Sequence, residues 1–508
     1  MYNELNATPY QKAGDFNLSS FVNLISYQYD ANGSDLKRLN IHNLVQQIEI
    51  FESISSNVIT GSVAILDATG TFKDMQISGF ERLEFKCSTP GLSRIYDFTT
   101  ATGNPVFVHH ITNREQVQEN AQQYVLHFCS IERAINQSTL FSHAYTNSHE
   151  AIVQDILRTH LKSKKNFFFE PSSSLFKHVI PYTSPFSAIN YLAGETQSKA
   201  HNSAGYRFYE TVMGFHFRSI ESMTNLASKT PRKAIASYSM KRKNNRQNNG
   251  VNDVKSDLQS IFHLEIESSV NSLFNMTSGV YASDMVTHDQ FAKTFSTRRF
   301  NYYLNRLTTS QMETDNGGQV VLGQGILPNM IFSQGKTPAD MVGRRMFQST
   351  TTKVHNDARQ PPKEEITQKR VSKQGAMKGV QLTIQVPGFF GIGAGDVVNV
   401  QIPAYDNKSP SAIDPLSGKY LIVDCKQTII KNEKQHITQL TLQKDSFRRV
   451  LDDENFDTFT EQRTDTENKD YDLNTIDEVL WVRKKNFPEL TITIFRAILY
   501  KKEGHLND

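Results

Sequence analysis

Along residues 18–137 apolar and polar side chains alternate in short runs, LVQQIEIF, NVITGSVAIL, ERLEFKC, PVFVHHIT and YVLHFCSIE, with Gly, Asn, Asp and Ser at the breaks. A period of two interrupted by turn residues predicts half-buried strands of an antiparallel sheet, closed into a barrel or sandwich. The period then changes. In HEAIVQDILRTHL, residues Ile152, Ile156 and Leu157 fall on one helical face, and Ser148 stands in a capping position. VIPYTSPFSAINYLA places Ser184 to accept from the first free backbone N–H groups, Pro185 where its missing donor costs nothing, and Phe186, Ile189 and Leu192 on one face. YRFYETVMGFHFRSI reads as a hairpin turning at Met213 and Gly214, so residues 139–225 form a small α+β domain on this reading.

Strand patterns then resume. The run LEIESSVNSLFNMTSGVYASD (264–284) echoes IEIFESISSNVITGSVAILD (48–67): a strand with Glu at alternate positions, a Ser/Asn-rich bend, Thr or Ser with Gly, a second strand and Asp. Such self-similarity points to a duplicated β-unit. An irregular polar region follows, 311–372, with one short helical stretch near PADMVGRRMF, and then GVQLTIQVPG, DVVNVQIP, GKYLIVDCKQTII and HITQLTLQKDSF alternate again. The expected fold class is mainly β with α+β: two antiparallel β-barrel domains joined by a small α+β domain, plus extensions. The expected boundaries are an N-terminal arm at 1–18, a first β-barrel at 19–138 and an α+β domain at 139–257 with a basic loop at 229–250. A second, discontinuous β-barrel takes 258–310 and 373–450 around the insertion 311–372. Residues 451–508 form an acidic C-terminal extension with a terminal strand.

Composition narrows the picture. A chain of 508 residues divides into about three or four domains. With 38% hydrophobic and 21% charged residues it has the make-up of a soluble globular protein, and a net charge of +3 gives no overall affinity for nucleic acid or anionic membrane. The first residues, MYNELNATPYQKAGDF, carry no secretory signal, and no run approaches the roughly 20 apolar residues that span a bilayer, so maturation in a cytoplasm and no membrane insertion are expected. Cys87, Cys129 and Cys425 each sit in a strand-like segment without CxxC spacing and read as small half-buried hydrophobes. Two stretches stand out by charge. Residues 229–250 carry seven basic residues and no acidic one, either a phosphate-contacting patch or, more plainly, a solvated loop. Residues 452–478 hold eleven acidic and two basic residues and lead to Trp481 and LTITIFRAILY, a tether that docks on a partner or on the body of the same protein, or else an acidic stretch that stays disordered.

Motifs of catalysis fail on inspection. The GKT at Gly335–Thr337 has Met330 where a phosphate loop needs glycine, and Pro338 follows it, so it reads as a turn. GFFGIGAGD (388–396) leads into a strand, whereas a dinucleotide fingerprint needs a helix N-terminus there, and it reads as a bend. His109 and His110 adjoin on a strand and point to opposite faces. HExxH and GxSxG are missing from the sequence, while a carboxylate pair defined only in space could still lie among its many acids. The expectation is no catalytic, cofactor-binding or metal-binding residues, no cofactor, and a structural or binding role.

Several of these stretches, in order, resemble one known family. IEIFESI, TGSVAILD and ISGFERLEF in the first sheet, SHEAIVQDILRTHL, VIPYTSPFSAINYLA and GYRFYETVMGFHFRSI in the middle, then VPGFFGIGAGDVVNV, GKYLIVDCKQ and TQLTLQKDS are similar to the central baseplate hub of contractile-tailed bacteriophages. T-even phages carry such hubs, which are related to the hub part of type VI secretion spikes. The match covers about residues 20–450. The resemblance implies a homotrimer whose six barrels form a near-sixfold ring, a symmetry adapter between a hexameric tail tube or tube initiator and a trimeric spike. Baseplate wedge proteins are further possible partners, and DNA and tape-measure protein would pass through the lumen without specific binding. It implies a place in the virion tail after assembly in the host cytoplasm, and it assigns the helix after Pro185 to a domain that braces the barrels. The basic stretch, the insertion and the acidic extension have no counterpart in the family pattern. Two alternatives stand beside the hub reading: a tail-associated enzyme cutting cell-wall glycan or peptide, suggested by the many carboxylates and by what phage spikes carry, and a secretion-system spike hub, suggested by the resemblance. Direct nucleic-acid binding through Lys229–Arg246 is a weaker third.

Overall fold

Where the sequence alternates, strands form. The computed structural model describes residues 13–29, 36–92, 94–102, 104–173, 176–201, 203–227, 230–231, 234–240, 257–269, 271–290, 292–302, 304, 337–350, 363–404 and 414–446. The first sheet region contains β1 (Asn17–Leu18), β2 (Asn23–Tyr29), β3 (Leu36–Asn40), β4 (Val45–Ser53), β5 (Thr60–Asp67), α1 (Thr71–Met75), β6 (Arg82–Ser88), β7 (Ile95–Phe98), β8 (Val106–Gln118) and β9 (Ala121–Ser130). Along β5 every second side chain is buried, which is the pleat expressed as burial. Ile48, Ile50, Val63, Ile65, Phe85 and Phe128 meet in one core.

The middle region follows the helical period. It comprises α2 (Ile131–Ser138), β10 (Phe141–Asn147), α3 (His149–Asp155), which winds on as a wider π-helical turn to His160, β11 (Phe167–Phe169), β12 (Phe176–Thr183), α4 (Pro185–Glu195), β13 (Tyr206–Thr211), β14 (Gly214–Ser219) and α5 (Ile220–Thr224). Ile152, Ile156, Leu157, Phe186, Ile189 and Leu192 share a second core with Phe208 and Phe217, as the spacing predicts. Two details differ. Ser148 and Ser184 adopt the extended backbone of a cap, but neither side chain accepts an N–H of its helix. The Phe186 N–H donates instead to Asn136 Oδ1 of α2 at 2.8 Å, and Ser184 Oγ donates to Ser187 Oγ. The hairpin turns on Val212 and Met213, one residue earlier than expected, because Gly214 already pairs with Thr211. Its φ of +139° and a Cβ that would lie 2.4 Å from the Asn166 carbonyl oxygen make glycine the residue that fits.

The chain continues through β15 (Asn225–Ala227), β16 (Thr230–Pro231), β17 (Ala236–Ser239), β18 (His263–Ser269), α6 (Ser272–Ser278), β19 (Ala282–Asp289), β20 (Thr294–Asn301), β21 (Arg344–Thr350) and α7 (Lys363–Met377). It ends with β22 (Val380–Pro387), β23 (Val397–Gln401), β24 (Gly418–Ile430) and β25 (Gln435–Lys444). A third core gathers Leu382, Ile384, Val398, Tyr420, Ile422 and Leu440.

One sheet of fifteen strands carries both β regions, in the order β18-β22-β25-β24-β4-β5-β9-β8-β6-β2-β3, with β1 and β7 on β6, β23 on β24 and β17 on β23. Two stretches of this path are wired alike. β4-β5-β9-β8-β6 and β18-β22-β25-β24-β23 each pair their first strand to the second, the second to the fifth, the fifth to the fourth and the fourth to the third, all antiparallel. The fold is therefore mainly antiparallel β with a duplicated five-strand module and few helices. Among the described residues the path is open and no barrel closes. The two modules run into one sheet through β24, whose 13 residues outrun β23: Gly418–Leu421 pair with β23, and Asp424–Ile430 pair with β4 of the other module.

The sequence echo is half right. β18 is the equivalent of β4, but Ala282–Asp284 opens β19, which belongs to a separate sheet ordered β20-β19-β21. The stretch 258–310 thus divides, and residues 271–379 are inserted between the first and second strands of the second module. Nor is 311–372 wholly irregular. Its described residues supply β21 and the start of α7, while the segment expected to be helical near PADMVGRRMF is a turn at Pro338–Asp340 running into a strand. Among the described residues no helix is long and apolar enough to cross a membrane.

Candidate functional site: the interlock between the two modules

The modules meet along a strand pair and through a loop. In the strand pair, Asp424 faces Ser53 and Ile430 faces Gln47 across β24 and β4. Ser53 Oγ donates to Asp424 Oδ1, and Lys426 Nζ lies 2.9 Å from Glu49 Oε1 and 5.1 Å from the Phe51 ring. The loop is GFFGIGAGD, between β22 and β23. It is a bend into a strand, as expected, but it is buried throughout. Phe390 inserts into the core of the first module, 4.8 Å from the Tyr96 ring and 4.1 Å from the His436 ring between centroids. Its N–H donates to Thr89 Oγ1 (3.0 Å), Arg94 donates to the Gly391 carbonyl (3.1 Å), and Tyr96 Oη donates to the Ile392 carbonyl (3.4 Å).

At the centre sits Glu52, fully buried on β4. Its Oε1 accepts from the Val212 N–H of the middle domain (3.0 Å) and its Oε2 from the Ala394 N–H of the loop (3.2 Å), so one carboxylate joins three parts of the chain. Burial pushes the Glu52 carboxyl up, an effect that Arg94 and the two amides offset only in part. Space there is fully used. A Cβ on Gly393 would lie 2.6 Å from Glu52 Oε2 and 3.2 Å from an Arg94 nitrogen, which explains the glycine-rich spelling of the loop without any ligand. A second buried charge cluster ties the middle domain to the first module. Lys165 Nζ lies 2.8 Å from Glu132 Oε2 and 2.5 Å from Glu210 Oε1. Ser163 Oγ donates to Glu132 (2.7 Å), while the Ile59 N–H and Ser130 Oγ donate to Glu210 (3.0 and 2.6 Å). Burial works against the charge on Lys165, and the two carboxylates outweigh it.

The residues singled out in the sequence fall as follows. Cys87, Cys129 and Cys425 are free thiols, fully rather than half buried, and burial pushes Cys87 and Cys425 well up and Cys129 to about 11. Of the GKT motif only Thr337 is described; its N–H and hydroxyl donate to Asp340 Oδ2, as a turn requires. His110 stacks on His127 with centroids 5.7 Å apart. None of the seven basic residues of 229–250 and none of 451–508 lies among the described residues. Among the described residues no group of three or more His, Cys, Asp or Glu side chains is arranged to hold a metal. Sequence reasoning missed Glu52, Arg94 and Lys165, because their partners stand up to some 340 positions away along the chain. The one legible signal was a Glu at an alternate position of an apolar strand, inside the face that the pattern buries.

No protein-family model and no curated protein matches this sequence. In structure the chain is similar to a tail protein from Neisseria meningitidis MC58, at 11% identity over 85% of this chain and 97% of that one, with a TM-score of 0.47. It is also similar to the 43 kDa tail protein of prophage MuSo2 from Shewanella oneidensis, at 10% identity over 85% and 100% with a TM-score of 0.44. A third likeness is to the E. coli c3393 protein, a type VI secretion component described as similar to the T4 tail proteins gp27 and gp5, at 9% identity over 86% and 79% with a TM-score of 0.38.

Proposed function

We propose that this chain is a non-enzymatic structural hub of a phage tail baseplate, a homotrimer whose six β-modules surround a channel and adapt a hexameric tail tube to a trimeric spike. The observation that carries the proposal is the pair of edges that the duplicated wiring leaves over. Within the chain, the far half of the fourth strand of one module (Asp424–Ile430) covers the first strand of the other (β4). The equivalent edges are the far half of β8, about 112–118, and the outer edge of β18, which follows a short bridge of residues 259–261 to Ser239 of β17; among the described residues neither of these two strand edges is paired. β8 has the same length as β24, 13 residues. Ile50, on the covered strand, is 0% exposed, while its counterpart Ile266 on β18 is 46% exposed beside an exposed Phe262. An apolar edge strand left bare invites another strand. A second copy of the chain supplies it. Because that contact is head to tail, it repeats until a ring closes, and three copies give six modules.

The sequence resemblance to hub proteins supports the same reading, as does the use of the buried carboxylates Glu52, Glu132 and Glu210 in holding the interlocks together. Spike, tube or tube-initiator and wedge proteins are the proposed partners, the virion tail is the proposed location, and DNA crosses the lumen without specific binding. The test places cysteines at Gln116 and Glu265. Oxidation is expected to yield covalently linked trimers, and electron microscopy a threefold ring with a central hole. A chain that stays monomeric at high concentration, even with a spike partner, overturns the proposal. A lytic band against peptidoglycan, abolished by substituting one carboxylate, would overturn its non-enzymatic part.

A further inference from the structure

The inserted sheet β20-β19-β21 buries one face and leaves the other bare. α7 covers the side of Ser283 and Met285: Gln368 Nε2 donates to the Ser283 carbonyl (3.0 Å) and Ser372 Oγ to the Val280 carbonyl (2.8 Å). By strand alternation and register, the other side presents Val286, His288, Phe295, Arg299, Arg345 and Phe347. Phe295 is 72% and Phe347 76% exposed, and Phe295 stacks on His288 with centroids 4.4 Å apart. Asp284 is shared by Arg299 (2.9 Å) and Arg345 (3.6 Å), while at the rim Arg298 meets Glu365 of α7 (2.8 Å) and Arg344 donates to the Ser278 carbonyl (3.2 Å). On the bare face Arg299 and Arg345, both well exposed, thus stand beside two bare aromatic rings, while Arg298 and Arg344 point to the α7 side at the sheet's rim.

We propose that this face is the docking site of the acidic segment 452–478 of the same chain. Charge selects that segment. It holds eleven acidic and two basic residues, with Phe456 and Phe459 set among the acids. The other nearby stretches outside the description do not complement the arginines: 305–336 has two acidic and two basic residues, and 351–362 has one acidic and two basic. Position selects it as well. The described chain ends at Ser446, next to Asp445, whose Oδ2 is held by Lys373 of α7 at 2.7 Å. Lys373 lies eight residues, about 12 Å, along that helix from Glu365 at the arginine rim. The seven residues from Asp445 to Asp452 can extend about 23 Å, enough to turn the edge of the sheet. The acids then pair with the exposed guanidinium groups of Arg299 and Arg345, and the two phenylalanines cover Phe295 and Phe347.

Hydroxyl-radical footprinting of Phe295 and Phe347 tests this in the full chain, beside a full-chain variant in which every Asp of 452–478 becomes Asn and every Glu becomes Gln. The variant leaves the inserted sheet untouched, so it cannot act by unfolding it. The expected result is several-fold less oxidation of both rings in the unaltered chain, an advantage lost at high salt, where exposed charges are screened. Equal oxidation in the two chains overturns the proposal, including the case in which another segment covers the face. Protection that disappears on dilution also overturns it, because the segment would then come from a second copy.

Discussion

Gln427 decides the state of His436. Its Oε1 accepts from the His436 Nε2–H (2.8 Å) and from Thr438 Oγ1 (2.5 Å), while its amide nitrogen donates to the Phe389 carbonyl (3.3 Å). The imidazole is therefore a neutral Nε2–H tautomer, packed on Phe390 inside the interlock, and burial lowers it from 6.5 to about 3. Between those two values the unfolded chain binds a proton that the folded chain refuses. Stability is then lost as pH falls through that window, by about 1.4 kcal/mol for each pH unit. Urea unfolding at pH 6, 5 and 4 is expected to approach this slope, and His436→Gln, which retains a hydrogen-bonding side chain, is expected to flatten it. A gap between the two chains that does not change with pH would refute the assignment.

Elements were legible where their partners are apolar and near in sequence. The alternating runs located β4, β5, β6, β8 and β9, and later β22 to β25, because each shows a buried face spelled in Val, Ile, Leu and Phe. α7 was invisible for the opposite reason: its buried face includes Gln368, Lys369 and Ser372, which satisfy carbonyls and carboxylates, so no apolar period appears. The same physics explains the cap of α4, where a serine in the expected place is passed over for Asn136, some 50 residues earlier. Asn136→Ala is expected to cost about 1 kcal/mol, since it strands a buried N–H. Ser184→Ala, which loses only a hydroxyl contact to Ser187, is expected to cost less than about 0.5 kcal/mol. Thermal denaturation of both variants ranks them, and the reverse order would return the cap to the serine.

For the whole molecule, the decisive contacts are the buried charges that lock parts together. Lys165 lies between Glu132 and Glu210, and Lys165→Met leaves two carboxylates facing each other without a cation, a loss of about 3–5 kcal/mol. Adding Glu132→Gln and Glu210→Gln is expected to recover much of that loss in urea titrations, and a single substitution costing under about 1 kcal/mol would show the cluster to be dispensable. The mainly antiparallel β character was readable; the continuity of the sheet was not, because β24 reveals its second partner only in three dimensions. Phe390 carries a further consequence, for the order of events during synthesis. The first module finishes its last strand at Ser130, yet a ring in its core is added some 260 residues later. At about 5–20 residues per second, that leaves roughly 13–50 s in which a newly made chain waits on the ribosome with an apolar notch beside Tyr96. The N-terminal half is thus a lock moulded before its key exists, and its maturation is timed by translation of the C-terminal half.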